Sequence, residues 1–257
     1  MDYVIISLAA FAASGLTLFS GFGLGTLLMP VFALFFPVEV AIAQTALVHF
    51  ANNLFKLGIF GRSADWRTVL LFGIPAFLAS LAGAGALIWI SDLEPLHSYT
   101  LFGHHFTIHP IKLLIALLIT VFSLLELWPA YERLSISRKY LPIGGLLSGF
   151  FGGLSGNQGA FRSAFLIKSG LSKEAFIGTG VVIACLVDFS RLTVYLGLLY
   201  SPEVKMNLPL IAIATMAAFI GAFIGSRWVK KVTMRTLQIA VATMLLLIAI
   251  LLALGLI

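Results

Sequence analysis

Long apolar runs, separated by short polar stretches, dominate the pattern of the chain. A transmembrane helix needs about 20 consecutive, mostly apolar residues. Six segments have this length and few charges, at positions 39–61, 68–91, 110–128, 173–200, 206–228 and 234–257. The pattern therefore predicts six transmembrane helices, and it leaves two other apolar regions, 3–36 and 141–170, that need a different interpretation.

Both remaining regions are interrupted midway by clusters of glycine. The first contains Gly21, Gly23 and Gly25, and the second contains Gly152, Gly153, Gly156 and Gly159. One glycine inside a helix costs about 1 kcal/mol relative to alanine, so clusters of this density indicate a break in the helix. We therefore predict that each region forms two helical pieces joined by a non-helical turn and folded into a hairpin.

The glycine-broken motif occurs twice, roughly 135 positions apart, as Ser20–Gly25 and again as Ser155–Ala160. In this register Glu39 matches Glu174, Ile42 matches Ile177, Asn53 matches Asp188, and Lys56 matches Arg191. Each copy supplies one hairpin and three full crossings, and since three is odd, the second copy must be inverted. We predict an all-α, polytopic transmembrane protein with inverted repeats at 1–128 and 141–257, joined by a cytoplasmic linker at 129–140.

The composition agrees with a membrane protein, because 60% of the residues are hydrophobic and only 10% are charged. In a membrane protein an excess of lysine and arginine, here a net charge of +6, reports how the chain is oriented in the membrane. No basic cluster interleaved with aromatic residues suggests a nucleic-acid partner. Lysine and arginine concentrate in 61–67, 129–140, 168–173 and 227–235, whereas 92–108 has neither. The positive-inside rule therefore places the basic connections in the cytoplasm, and 92–108 and both termini outside. We expect a multi-pass protein of a cell membrane, the bacterial inner membrane in particular.

The glycine turns are the strongest candidates for a binding site. Backbone N–H groups at the start of a helix carry partial positive charge and bind anions. Polar side chains in and beside the breaks favour this role over simple close packing of helices, which is the alternative for the glycines. We predict that the substrate-binding residues are Ser20, Gly21, Gly23, Gln44, Thr45, Ser155, Asn157, Gln158, Arg162 and Thr179.

Charged and polar residues inside the spans are the second source of candidates. Arg162 lies in an apolar stretch, where its planar guanidinium suits an oxyanion, or where it extends to the cytoplasmic face instead. Thr45, His49, Asn52 and Lys56 form one stripe along their helix, with Asn53 beside it. His49 either moves a proton or packs through a hydrogen bond. The i, i+3 spacing of Asp188 and Arg191 predicts a structural ion pair.

Cysteine and histidine give little support for a disulfide or a metal site. Cys185 is the one cysteine, so an intramolecular disulfide and a paired-cysteine metal site are excluded. The histidines at 97, 104, 105 and 109 have no regular ligand spacing, so we predict no metal.

At these motifs the chain resembles the TauE/SafE family of sulfite exporters. The resemblance rests on Gly21–Gly25 with Pro30, on Gln44-Thr45, on Gly152–Gly156, and on Phe176–Gly180 with Asp188 and Arg191. It departs from the family pattern at Asn157-Gln158, at Arg162, and at Phe165, where the first copy has Pro30. The resemblance implies a transporter, not an enzyme, that moves sulfite, a related sulfur oxyanion or an organosulfonate without a cofactor. The expected partners are this anion and the lipid bilayer, and the sequence also allows a homodimer.

Two alternative functions remain open at this stage. A passive anion channel could use the same repeat fold as an alternating-access carrier. Gly153–Gly156 also matches the Gly-x-Ser-Gly pattern of rhomboid intramembrane proteases. Those enzymes need a histidine on a later helix as general base, but every histidine here precedes Ser155.

The predicted topology can be tested by cysteine labelling in intact cells. With Cys185 replaced by serine, we expect Ser98→Cys to react with a membrane-impermeant maleimide and Ser137→Cys to react only after the membrane is permeabilised. Labelling of both positions from the same side would contradict the topology.

Overall fold

The computed structural model describes residues 2–16, 24–128, 136–167, 169–200, 202, 207–228 and 234–257. Helices form at the positions where apolar runs predict them. In the first half these are α1 Asp2–Leu16, α2 Leu24–Ala33, α3 Val38–Phe60, α4 Trp66–Ser91 and α5 Pro110–Leu127. In the second half they are α6 Leu141–Ser155, α7 Gly159–Leu166, α8 Lys173–Val194, the short α9 Leu196–Leu199, α10 Leu208–Trp228 and α11 Met234–Ala253.

The second glycine-broken region is divided as its sequence predicts. Helix α6 ends where Gly156 adopts a left-handed conformation with φ of 82°, and α7 begins at Gly159. Glycine suits this position because a Cβ atom disfavours positive φ. In the first region the residues between α1 and α2, including Ser20, Gly21 and Gly23, lie outside the described part of the chain.

Local sequence signals explain where several helices begin. Ser172 caps α8, with its hydroxyl accepting a hydrogen bond from the Ala175 N–H at 3.1 Å. Asp65 caps α4 in the same way by accepting from the Thr68 N–H at 3.0 Å. Hydrogen bonds from Thr68 hold the pKa of the Asp65 carboxyl below its ordinary value. Within α4, the π-helical stretch Val69–Gly73 leads into Pro75, which has no N–H to continue the ladder.

The helices of the two halves pack against one another. Helix α1 packs on α10, and α4 packs on α6. Likewise α3 packs on α8, and α5 packs on α11. Neither half therefore buries its helices by itself.

Glycines allow two of these helix pairs to approach at backbone distance. A Cβ at Gly83 of α4 would collide with the carbonyl oxygen of Phe150 in α6. A Cβ at Gly221 of α10 would collide with the carbonyl oxygen of Phe11 in α1. Small residues at such positions are typical of helix interfaces in membranes, where close backbone packing holds helices together.

Three of the described helices are both long and apolar enough to cross a membrane: α4, α8, and α10 over Leu208–Gly225. Four described segments are apolar but shorter, in α1, α2, α5 and α11. Helix α3 has 23 residues, which is long enough, but its polar stripe lowers its hydropathy. That stripe is buried inside the protein, as a polar stripe on a membrane helix has to be.

The connection 92–108, for which we predict a position outside the membrane but no secondary structure, contains a two-stranded antiparallel hairpin. Strand β1 His97–Leu101 pairs with β2 His104–Ile108 through a turn in which Phe102 and Gly103 have φ of 51° and 79°. The tyrosine hydroxyl of Tyr99 donates to the carbonyl of Leu254 at 2.6 Å, so the hairpin contacts the end of α11. Phe102 is not a residue that usually signals such a turn, which explains the missed prediction.

Adding one methyl group at Gly83 should destabilise the fold measurably. Because the Phe150 carbonyl occupies the required space, we expect Gly83→Ala to lower the free energy of unfolding by about 1–3 kcal/mol. Gly85→Ala on the same helix is the matched control, since nothing lies within 4 Å of a Cβ there. Thermal unfolding in detergent measures both, and equal stabilities of the two variants would contradict the proposed close contact.

Candidate functional site

A carboxylate buried between α3, α8 and the second glycine turn is the centre of a polar network. Asp188 of α8 is fully buried. Its Oδ1 accepts from Arg191 Nη2 at 2.8 Å, Arg191 Nε at 3.1 Å and Gln158 Nε2 at 3.2 Å. Its Oδ2 accepts from Asn53 Nδ2 at 2.9 Å and lies 2.6 Å from His49 Nδ1. The i, i+3 ion pair predicted from the sequence is present, and it is one part of a larger cluster.

The short contact between Asp188 and His49 defines where the imidazole proton lies. A carboxylate can only accept, so Nδ1 of His49 carries the hydrogen and donates it to Oδ2. Asn53 Nδ2, which is 3.0 Å from the same Nδ1, therefore donates to Asp188 and not to the imidazole. His49 is thus held in one orientation by a partner on the opposite half of the chain.

The second glycine turn is fixed by hydrogen bonds on both sides. The Ser148 hydroxyl in α6 donates to the Gln158 carbonyl at 2.8 Å. The Asn157 amide donates to Ser155 Oγ at 3.1 Å, and Ser155 in turn donates to the Phe151 carbonyl at 3.1 Å. These contacts place Asn157 and Gln158 just before α7, next to the network around Asp188.

The described end of the first glycine motif lies against this turn. A Cβ at Gly25, in the first turn of α2, would be 3.3 Å from the Gly156 carbonyl oxygen and 3.9 Å from the His49 ring. The backbone of the two motifs therefore meets beside the network. This is the proximity that a shared site between the two glycine turns requires.

Arg162 extends the network from α7. Its Nη1 donates to Gln158 Oε1 at 3.1 Å, and its Nε lies 3.6 Å from where a Cβ at Gly180 would be. The side chain is half-buried, and no carboxylate among the described residues forms a salt bridge with it. Gln158 thus links Arg162 to Asp188, and the guanidinium keeps N–H groups for another acceptor.

Several buried polar atoms on α3 and in the second glycine turn have no hydrogen-bond partner among the described residues. They are Oε1 and Nε2 of Gln44, Oγ1 of Thr45, Nδ2 of Asn52 and Oδ1 of Asn157. Gln44 and Thr45 lie on α3 about one turn before His49, and Asn157 adjoins Gln158. A buried polar group without a partner costs about 1–3 kcal/mol, so such groups indicate a bound ligand or water.

The structure brings most of the predicted residues to one region of the molecule. His49, Asn53, Gln158, Asp188 and Arg191 are in direct contact. Ser155, Asn157 and Arg162 adjoin them, and Gln44 and Thr45 lie on the same helix as His49.

Other predicted residues lie elsewhere. Thr179 is buried but accepts a hydrogen bond from the Asp65 N–H at 2.8 Å, at the connection before α4. Ser20, Gly21 and Gly23 lie outside the described residues.

Two residues at the site were not predicted. Ser148 fixes the turn, and the hydroxyl of Tyr195, a residue that is completely buried, donates to the Gly153 carbonyl at the end of α6. A serine one turn before a glycine cluster is common in membrane helices, so the sequence offers no specific signal for Ser148. Tyr195 comes four residues after Arg191 and directly follows α8, and this helical spacing could have placed it on the same face as Arg191.

The described residues contain no group of three or more potential metal ligands. Cys185 is a free thiol of intermediate exposure.

The family model described as "Sulfite exporter TauE/SafE" matches residues 6–252, which is nearly the whole chain. The chain therefore belongs to this family, and it is a membrane transporter and not an enzyme. No curated protein matches the chain.

Removing the central carboxylate should destabilise the protein strongly. Asp188→Asn leaves the buried Arg191 without a counter-charge, so we expect a loss of about 3–5 kcal/mol in the free energy of unfolding. The double variant Asp188→Asn/Arg191→Gln removes the uncompensated charge and should recover part of this loss. Thermal unfolding in detergent tests the coupling, and strictly additive losses would contradict it.

Proposed function

We propose that this member of the TauE/SafE family moves a small sulfur-containing anion, sulfite, a related oxyanion or an organosulfonate, across the membrane by alternating access. The anion binds where the two glycine motifs meet. Backbone N–H groups of the turns, Arg162, Asn157 and Gln158 contact it from one side. Gln44 and Thr45 face it from α3.

The observation that carries this proposal is the set of buried polar atoms without partners on α3 and in the second glycine turn, together with a guanidinium after that turn that has no counter-ion among the described residues. Gln44 Nε2 and Thr45 Oγ1 are donors that the fold leaves unused, and Gln44 Oε1 and Asn157 Oδ1 are unused acceptors. Arg162 supplies the positive charge. An oxyanion with several oxygen acceptors is the ligand chemistry that matches a guanidinium and amide N–H groups.

Alternating access is supported by how the halves are packed. Helices at matching places in the two sequence repeats contact each other, α3 with α8 and α5 with α11. Two further pairs are exchanged between the repeats, because α1 packs on α10 and α4 packs on α6. Such reciprocal packing fits two structural repeats, which we propose to be inverted because each contains an odd number of full crossings.

In this mechanism the Asp188 network positions the binding groups. Asp188 orients Gln158 through Nε2, and Gln158 in turn orients Arg162 through Oε1. His49 and Asn53 attach the same carboxylate to α3. Movement of one repeat against the other would therefore change the position of α3 relative to the second glycine turn, and the proposed anion site lies between these two elements.

Arg162→Gln tests the binding site directly. Because this variant removes the charge and the planar fork, we expect anion uptake into proteoliposomes to fall by at least about tenfold while thermal stability stays close to that of the wild type. Arg162→Lys keeps the charge without the fork and should retain partial uptake. Near-normal uptake by Arg162→Gln would rule out the proposed role.

The same proteoliposomes distinguish a carrier from a channel. An alternating-access carrier should saturate with substrate, and unlabelled anion on the opposite side should accelerate the uptake of labelled sulfite. Uptake that shows neither property would support a passive channel.

A further inference from the structure

Lys56, on the polar stripe of α3, is a buried ammonium group without a counter-ion among the described residues. Its exposed fraction is 7%. No described residue accepts a hydrogen bond from it or forms a salt bridge with it. The nearby charged group is another cation, Arg162, which packs against the same stretch of α8. A Cβ at Gly180 would be 3.6 Å from Arg162 Nε, and a Cβ at Gly178 would collide with the carbonyl oxygen of Phe60, one turn after Lys56. Two like charges brought together inside a membrane protein need an anion to stabilise them.

The matching residue in the other half shows what Lys56 lacks. Arg191 lies 135 positions after Lys56, and it is neutralised by Asp188, three residues before it on the same helix. The residue three positions before Lys56 is Asn53, an amide, and it donates to Asp188 as well. One carboxylate therefore serves both halves, and the cation of the first half stays without a partner.

A charge count around the site leaves two unit charges uncompensated. Asp188 is the buried carboxylate among the described residues of this cluster, and Arg191 binds it through two nitrogen atoms. With His49 neutral, Lys56 and Arg162 remain as an excess of two positive charges. Because a low-dielectric surrounding strengthens electrostatic interactions, this excess favours a ligand with two negative charges over one with a single charge.

We infer that Lys56 is a specificity-determining residue that, with Arg162, selects doubly charged oxyanions over singly charged ones. This inference rests on the proposed function and adds the charge state of the substrate to it. Sulfate, thiosulfate and the fully deprotonated form of sulfite belong to the favoured class, whereas simple monoanionic sulfonates do not. Lys56 supplies the second charge, and Arg162 supplies the first together with the directional hydrogen bonds.

Binding of anions matched in shape but not in charge to the purified, full-length protein tests the inference. Sulfate and methanesulfonate both present a tetrahedral sulfur oxyanion, with two charges and one charge respectively. Titration calorimetry at neutral pH with this pair, and with thiosulfate as a second dianion, should show the more tightly bound dianion binding at least about tenfold more tightly than methanesulfonate. Affinities for dianions and monoanion within about threefold of each other would overturn the inference.

Substitution of Lys56 identifies its own contribution. We expect Lys56→Gln to weaken dianion binding by about tenfold or more while methanesulfonate binding changes by less than about threefold. Lys56→Arg keeps the charge and should keep the preference. Lys112→Gln on α5 is the matched control, because it also removes a partly buried lysine. Unlike Lys56, Lys112 has a carboxylate close to it, that of Glu39.

The possible outcomes separate the two proposals. If Lys56→Gln weakens all anions equally, or changes none, Lys56 does not set the charge preference. If purified Lys56→Gln is not monodisperse, the affinities of the wild type and of Lys56→Arg for dianions and for methanesulfonate still test the inference. If no sulfur anion binds the wild type at all, the proposed function fails and not only this inference.

Discussion

The arrangement of the polar interior depends on one fully buried carboxylate. Asp188 accepts hydrogen bonds from α3, from its own helix α8 and from the turn before α7. Because a buried charge is tolerated only when it is paired and hydrogen-bonded, these partners hold each other in place. Among the described residues that we assign to the anion site, Gln158 contacts this carboxylate and Arg162 contacts Gln158, while Gln44 and Thr45 lie on α3 about one turn before His49.

Close backbone packing gives the network its fixed position. Glycines bring α4 against α6 and α1 against α10 at distances that no side chain permits. Helix α6 carries Ser148 and ends at the second turn, so its packing also determines where Gln158 lies. In a bilayer, where apolar side chains gain little from leaving lipid for protein, this steric fit supplies much of the association between helices.

The sequence alone predicts the helices well, because a bilayer demands long apolar runs and glycine clusters interrupt them. The bounds of α3, α4 and α10 agree with the predicted spans to within a few residues, whereas the predicted span 173–200 is divided into α8 and the short α9. The hairpin was missed because its turn contains Phe102 and Gly103, without the asparagine or aspartate that usually signals it. Short strands outside the membrane also have a weaker sequence pattern than the helices within it.

The candidate site is only partly predictable, since its contacts join positions far apart in the chain. The i, i+3 spacing predicts the pair of Asp188 and Arg191, which is a local feature. The contact of His49 with Asp188 spans 139 positions, and periodicity cannot reveal it. Thr179 is a predicted binding residue on α8, yet its hydroxyl accepts a hydrogen bond from the Asp65 amide, because tertiary packing brings the connection before α4 next to it.

The reciprocal packing of α1 on α10 has a consequence for biosynthesis. During translation α1 enters the membrane long before its partner has been made, and so does α4 relative to α6. Each early helix must then persist with lipid or an insertion chaperone as a temporary neighbour. The native interior can close only once the late segments arrive, which makes assembly a single cooperative event near the end of synthesis.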